Sequence, residues 1–412
     1  MREATMEERY TVISADTHCG ADVTDYRPYL ASRFHDDFDA WADTYEVPFA
    51  DQLAAIRYRN WDSERRIAEH ESDGVVAEVL FPNTVPPFFE ESNLVALPPA
   101  DADYERRWAG VRAHNRWLAD FCAAAPGRRA GIVQVFVNRL DDALAEISWA
   151  IEHVHLFGGI LLPSIPPGSG LAPLYDPVYD PLWTLCEEAG VVVNVHAGSG
   201  LPDYGDLEIA RAIMLVELPW FSHRPLWHLV FGGVFERFPK LKVALTEQGV
   251  AWLPRGLETL DWFYGRMVHG GAAEATFFGA AAKGMSMKPS EYFARNVWLG
   301  ASFLRSSESA LRPGFGGDRV MWGDDYPHSE GTWPYSREAL RVAFAGEDPA
   351  VVRRCVGANA AALYGFDLDA LAPLAAKFGP LVEEVAQPIE AGDYPAQSTS
   401  NAFDTTQVLR SW

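Results

Sequence analysis

Eight short apolar runs, separated by stretches with helical spacing, constrain this chain of 412 residues more than any other feature. The runs are Thr11–Asp16, Val75–Phe81, Arg129–Phe136, Gly158–Leu162, Val191–His196, Leu241–Glu247, Asn296–Ser302 and Asp318–Asp324. Most are near-continuous Val, Ile and Leu, the pattern of parallel strands buried on both faces. Helical patterns over Tyr104–Ala124, Asp141–His155, Pro177–Ala189 and Arg337–Ala345 fall between them. Such alternation predicts crossover connections, and eight strands is the count of a (β/α)8 TIM barrel. An open doubly wound sheet is the alternative, but no G-x-G-x-x-G follows the first strand.

Two long insertions distort the expected barrel. Gly20–Asn60 is rich in aromatic and charged residues; Gly265–Tyr292 is rich in Gly, Ala and Met and reads as a mobile loop. Long βα-loops usually cover the mouth of a barrel, so both are expected to be lid or substrate-pocket elements. After Phe366 a helix-like stretch gives way to weak periodicity. The expected division is a barrel domain over 1–366 and a partly irregular C-terminal extension over 367–412. That extension is expected to be disordered or to pack on a partner subunit.

Composition narrows the partners. The balance of 57 acidic against 34 basic residues gives a formal charge of −23, which argues against nucleic acid, whose phosphates call for a basic surface. Cys19, Cys122, Cys186 and Cys355 are isolated and form no disulfide framework or zinc knuckle. No run approaches the ~18 apolar residues of a membrane span. The opening MREATMEERY is too acidic and polar for a signal peptide. The expectation is a soluble, cytoplasmic protein acting on a small molecule.

Active sites of such barrels form at the C-terminal ends of the strands. Strand one runs into Asp16 and His18, two apart and therefore on one side; strand five ends in His196; strand eight ends in Asp324 and Asp325. Two carboxylates and two imidazoles converging on one mouth suit a divalent metal, Zn2+ first, with Mn2+ or Fe2+ next. Spacing alone leaves Asp324 and Asp325 equivalent. Each residue also has an ordinary reading: a capping aspartate, a satisfied histidine, a turn before Tyr-Pro.

The motifs VISADTHCG, DGVVAEVLFP, NRWLADFC, YDPLWTLCEEAGVVVNVHAG, GGVFERFPKLKVALTEQGVAWLP, MWGDDYPHSEGTWP and NAAALYGF fall in order from about residue 11 to 366. Together they resemble the amidohydrolase superfamily, in the branch related to aminocarboxymuconate-semialdehyde decarboxylase. The resemblance implies a distorted barrel with one metal held by Asp16, His18, His196 and Asp325, the last also handling protons. It also implies a homodimer. The fourth strand ends Leu161-Leu162-Pro163 without the lysine that bridges two metals in binuclear relatives. The sixth ends in Glu247, where decarboxylases of the branch usually place a histidine.

That departure puts hydrolysis first: a metal-activated water attacks a small cyclic or aromatic substrate, Asp325 takes its proton and Glu247 assists the leaving group. The alternative is non-oxidative decarboxylation of an aromatic or unsaturated acid. A third reading is a metal-free isomerase-like or binding barrel. His328 in the DYPH turn and His223 ahead of strand six are further catalytic candidates. Cys19 reads as a bystander, and one of Arg57, Arg59, Arg65 or Arg66 is the expected clamp for an acidic substrate.

Overall fold

The computed structural model describes residues 8–45, 57–90, 96–163, 165–205, 207–269, 273–309 and 318–405. The strands are β1 (Val12–Cys19), β2 (Val75–Pro82), β3 (Arg129–Gln134), β4 (Phe157–Leu161), β5 (Val192–His196), β6 (Lys242–Thr246), β7 (Val297–Ser302) and β8 (Val320–Gly323). They form one eight-stranded parallel sheet in the order β1 to β8. The backbone NH groups of His18 and Asp325 bond to Tyr326 O at 2.7 Å and Asp16 O at 2.9 Å, which ties the end of β8 to β1. With helices between the strands, this is a (β/α)8 barrel.

Each expected run became a strand, because side chains such as Ile13, Val79, Ile132, Leu161, Val192, Ala244 and Met321 fill the barrel interior. Helix Asn359–Tyr364 and Leu371 of helix Leu368–Phe378 join that cluster. There the Tyr364 hydroxyl donates to Asn194 Oδ1 at 2.8 Å. The main departure is in β1, which continues to Cys19. Its register against β2 shifts between Ser14 and Thr17, so one extra residue is accommodated there. Such a bulge re-aims side chains, and it places Asp16 within the strand rather than at its end.

The insertions and tail differ from expectation. Gly265–Tyr292 is largely helical, as the end of helix Leu253–Val268, helix Ala273–Ala282 and the start of helix Pro289–Asn296. Alanine-rich AEATFFGAAA has the propensity for this, which outweighs its single glycine. Gly20–Asn60 holds short 3-10 turns and helix His35–Thr44, with 46–56 outside the described residues. As far as residue 405 the tail packs on its own barrel, with Ala402 and Phe403 buried against Ala339 and Val342. No helix among the described residues is long and apolar enough to cross a membrane.

Candidate metal centre

The barrel gathers Asp16, His18, His196 and Asp325 at one mouth, all at most 2% exposed. His18 Nε2 lies 2.9 Å from Asp325 Oδ1 and 3.5 Å from Asp16 Oδ1. His196 Nε2 lies 3.3 Å from the same Asp16 oxygen. The Ser302 hydroxyl, at the end of β7, donates to Asp16 Oδ2. Asp324 turns away, with Oδ1 accepting from Ser14 Oγ at 2.7 Å and Oδ2 lying 3.5 Å from His70 Nε2. Thus Asp325, not Asp324, touches His18.

The cluster has the character of a cation site. Both ring nitrogens of His18 and the Asp325 Oδ2 are buried without a hydrogen-bond partner. Buried polar atoms are almost always partnered, and a cation between these carboxylates and imidazoles would satisfy one His18 ring nitrogen and the Asp325 oxygen. Donor atoms of Asp16, His18 and His196 lie within 4.8 Å of one another, as do those of His18, Asp325 and His328. This oxygen and nitrogen set fits one divalent ion.

Backbone geometry marks the same place. Glu247, Phe303 and Asp325, just after β6, β7 and β8, have φ of +60°, +58° and +55°. Side-chain-bearing residues rarely take this conformation, and such strain gathers at functional sites.

Glu247 Oε2 lies 3.4 Å from His196 Nδ1. Burial pushes its carboxyl up to about 8; His196 opposes this, while Asp325 and Asp16 add to it. His328 donates or accepts through Nδ1 to Asp325 at 2.9 Å and through Nε2 to Asn83 at 3.0 Å. Burial pulls the His328 imidazole down, but the Asp325 carboxylate outweighs it and the pKa rises to about 10. Ring stacking at 4.1 Å fixes His328 on His18.

A cavity of about 440 Å³ adjoins the cluster, with His223, Glu247, Trp252, Ser302 and Arg305 in its wall. That volume suits a small organic ligand. His223 stacks on Trp252 at 3.7 Å, and burial lowers its pKa to about 3. Neither Gly20–Asn60 nor Gly265–Tyr292 contributes described residues to this wall; 46–56 and 270–272, which the lid expectation includes, lie outside the described residues. Helix Glu208–Phe231 and the segments after β6 and β7 build it instead.

None of the four arginines expected to clamp an acidic substrate is among the described residues of this cavity wall, which corrects that expectation. Arg57 pairs with Asp22, Arg59 and Arg65 with Glu69, and the fully buried Arg66 with Glu78. Arg305 and Ser302, which sequence reasoning missed, reach the cavity. Their one signal was position: Ser302 ends the apolar run of strand seven and Arg305 follows three residues later. Burial raises the Cys19 thiol to about 12, so it is an unreactive core thiol.

Gly323, ending β8, leaves room for Asp16: a Cβ there would stand 2.6 Å from Asp16 Cβ and 3.1 Å from Ser302 Oγ. Gly323→Ala is therefore expected to displace Asp16 and lower metal occupancy, at a stability cost of about 1–3 kcal/mol. Metal analysis beside thermal melting checks this; full occupancy would show that Asp16 is not held so tightly.

A model of the amidohydrolase family matches residues 59–366. The chain is 26% identical over 281 residues to a 2-amino-3-carboxymuconate-6-semialdehyde decarboxylase from Dictyostelium discoideum, covering 65% of this chain and 67% of that protein. It resembles the 5-carboxyvanillate decarboxylase structure from Sphingomonas paucimobilis with TM-score 0.63 and 24% identity, over 87% of this chain and 100% of that one. The 5-carboxyvanillate decarboxylase from Novosphingobium aromaticivorans, complexed with manganese and 4-hydroxy-3-methoxy-5-nitrobenzoic acid, matches with TM-score 0.65 and 20% identity. That match spans 86% of this chain and 96% of that one. At these identities the structural likeness is one of fold.

Proposed function

The chain belongs to the amidohydrolase family of enzymes, and from that premise we propose that it is a metal-dependent decarboxylase of a small aromatic or unsaturated carboxylic acid. The observation that carries this reading is the buried Asp16, His18, His196 and Asp325 cluster, with its unpartnered imidazole, beside a cavity of aromatic size. The relatives described above are decarboxylases, which favours carbon dioxide loss over the hydrolysis that the sequence alone put first.

Asp16, His18, His196 and Asp325 would hold one divalent ion, zinc or manganese. Bound there, it would supply positive charge to offset the charge that builds on the substrate as its carboxylate departs. The protein's own groups do the rest. Trp252 and His223 offer a flat wall for an aromatic ring. His328, fixed by Asp325 and Asn83, holds the Asp325 carboxylate in place.

Glu247 lines the cavity and holds the proton. The bond to the carboxylate breaks, its electron pair remains on the ring carbon, and the Glu247 proton takes that pair as carbon dioxide leaves. A second copy of the chain is the proposed partner; it would cover exposed apolar residues such as Leu207, Ile209, Leu215 and Trp220.

Glu247→Gln is expected to lower the rate of carbon dioxide release by about 10²–10⁴-fold, with Glu247→Asp retaining part of it. The function itself is tested by incubating the metal-loaded protein with a panel of aromatic and unsaturated acids in D2O. The expected result is carbon dioxide equimolar with a product carrying one deuterium at the vacated carbon. A product bearing a new solvent oxygen, without carbon dioxide, would restore the hydrolytic reading.

A further inference from the structure

Arg305 is a charged group in the cavity wall to which the reaction above gives no role. It stands three residues past Ser302, whose hydroxyl contacts Asp16. Its Cα therefore lies within about 11 Å of that serine's. The side chain is only 9% exposed, and a guanidinium so buried needs an anion against it. Asp404 supplies one, its Oδ2 lying 3.1 Å from Arg305 Nη2.

Asp404 arrives from the far end of the chain. Ala402 and Phe403 pack against Ala339 and Val342, and the Thr399 hydroxyl donates to Ser329 O. This anchorage sets Asn401 into the cavity wall and brings the Asp404 carboxylate to the arginine. The other acids of the cavity wall have partners of their own, Glu330 accepting from the Ser329 hydroxyl at 3.0 Å. Glu308 accepts from the backbone NH groups of Val250, Ala251 and Arg305. Glu247 faces His196. Asp404, at 30% side-chain exposure, has solvent to move into if another carboxylate takes its place on the guanidinium.

We propose that Arg305 receives a second acidic group at the outer end of the substrate, and that the Asp404 carboxylate holds that place until the substrate arrives. The inner acidic group is the one lost in the decarboxylase reading, on which this inference rests. The exchange swaps one carboxylate for another on the same donor fork, so an acidic ligand can enter a protein whose formal charge is −23 without leaving the buried guanidinium unpaired. It also makes the C-terminal segment a determinant of specificity, since a tethered competitor lowers the affinity for any ligand that must displace it.

Calorimetric titration of the metal-loaded, full-length protein with benzoate and with benzene-1,3-dicarboxylate tests this without relying on turnover. The wild type is expected to prefer the dicarboxylate. Arg305→Gln should weaken dicarboxylate binding roughly 10- to 100-fold and bring its affinity close to that of benzoate. Asp404→Asn should tighten dicarboxylate binding by roughly 3- to 10-fold, because the competitor has lost its charge. Unchanged dicarboxylate affinity in a folded Arg305→Gln protein, or weaker binding in Asp404→Asn, would overturn the proposal. If Arg305→Gln does not fold, Asp404→Asn decides alone. Absence of carbon dioxide from every acid, with these affinity changes intact, would sink the decarboxylase reading and leave the Arg305 site standing.

Discussion

Asp325→Asn is expected to lower the turnover rate by about 10³-fold while leaving the fold intact. The side chain is fully buried, with Oδ1 2.9 Å from both His18 Nε2 and His328 Nδ1 and with Oδ2 unpartnered. Its backbone sits at φ +55°, a conformation that asparagine adopts readily. The exchange therefore keeps shape and backbone while removing the negative charge that His18 and His328 face. Steady-state kinetics, with circular dichroism as the control for folding, check this. A variant retaining more than a tenth of the wild-type rate would remove Asp325 from the chemistry.

The second large effect is on stability. Glu78, on β2, is buried between Arg66 Nη2 at 2.7 Å and Arg129 Nε at 3.1 Å, and it accepts from the Thr17 hydroxyl. The Arg66 guanidinium in turn donates to the backbone carbonyl of His18, so this network underlies the metal cluster. Glu78→Gln leaves two buried guanidinium groups without a counter-charge, which costs about 3–5 kcal/mol.

The pH dependence follows from the direction of the shift. Burial alone would raise the Glu78 carboxyl, but Arg66, then His70 and Arg129, hold it well below its ordinary 4.5. Its stabilisation is present above pH 4.5 and is lost as pH falls toward the lowered folded value. Denaturant unfolding should accordingly show a wide gap between wild type and variant at pH 7 that narrows only below about pH 4.5. A gap that is independent of pH would mean the lost hydrogen bonds, not the charge, set the cost.

Local sequence pattern made the barrel readable. Each strand is an apolar run because the sheet is covered on both faces, so Val192–His196 or Val297–Ser302 needs no long-range information to be recognised. The polar residues that interrupt or end those runs, Asp16, His18, His196 and Asp325, were visible for the same reason.

Features set by tertiary contact were not legible. The bulge in β1 depends on its register against β2, and nothing in VISADTHC announces it. Arg66 carries the same local signal as its solvent-facing neighbour Arg65, yet one is fully buried against Glu78 and the other half-exposed. Ser302 reads as an ordinary strand end and Arg305 as an ordinary loop residue until the fold brings them to Asp16 and to the cavity. Asp404 meets Arg305 across 99 positions of sequence, a distance over which periodicity carries no information. In Gly265–Tyr292, glycine and methionine suggested a loop, but the alanine-rich core of the stretch formed a helix.

Residues of β1 and β5 and the segment after β8 are proposed to hold one divalent metal at the barrel mouth. Metal content per chain, measured on purified wild type and on His196→Ala after identical reconstitution with zinc or manganese, tests it most directly. About one ion per wild-type chain and a large loss in the variant are expected, since His196 supplies one of two imidazoles in the set. Wild-type protein that takes up no metal would contradict the account and bring forward the metal-free isomerase-like or binding barrel.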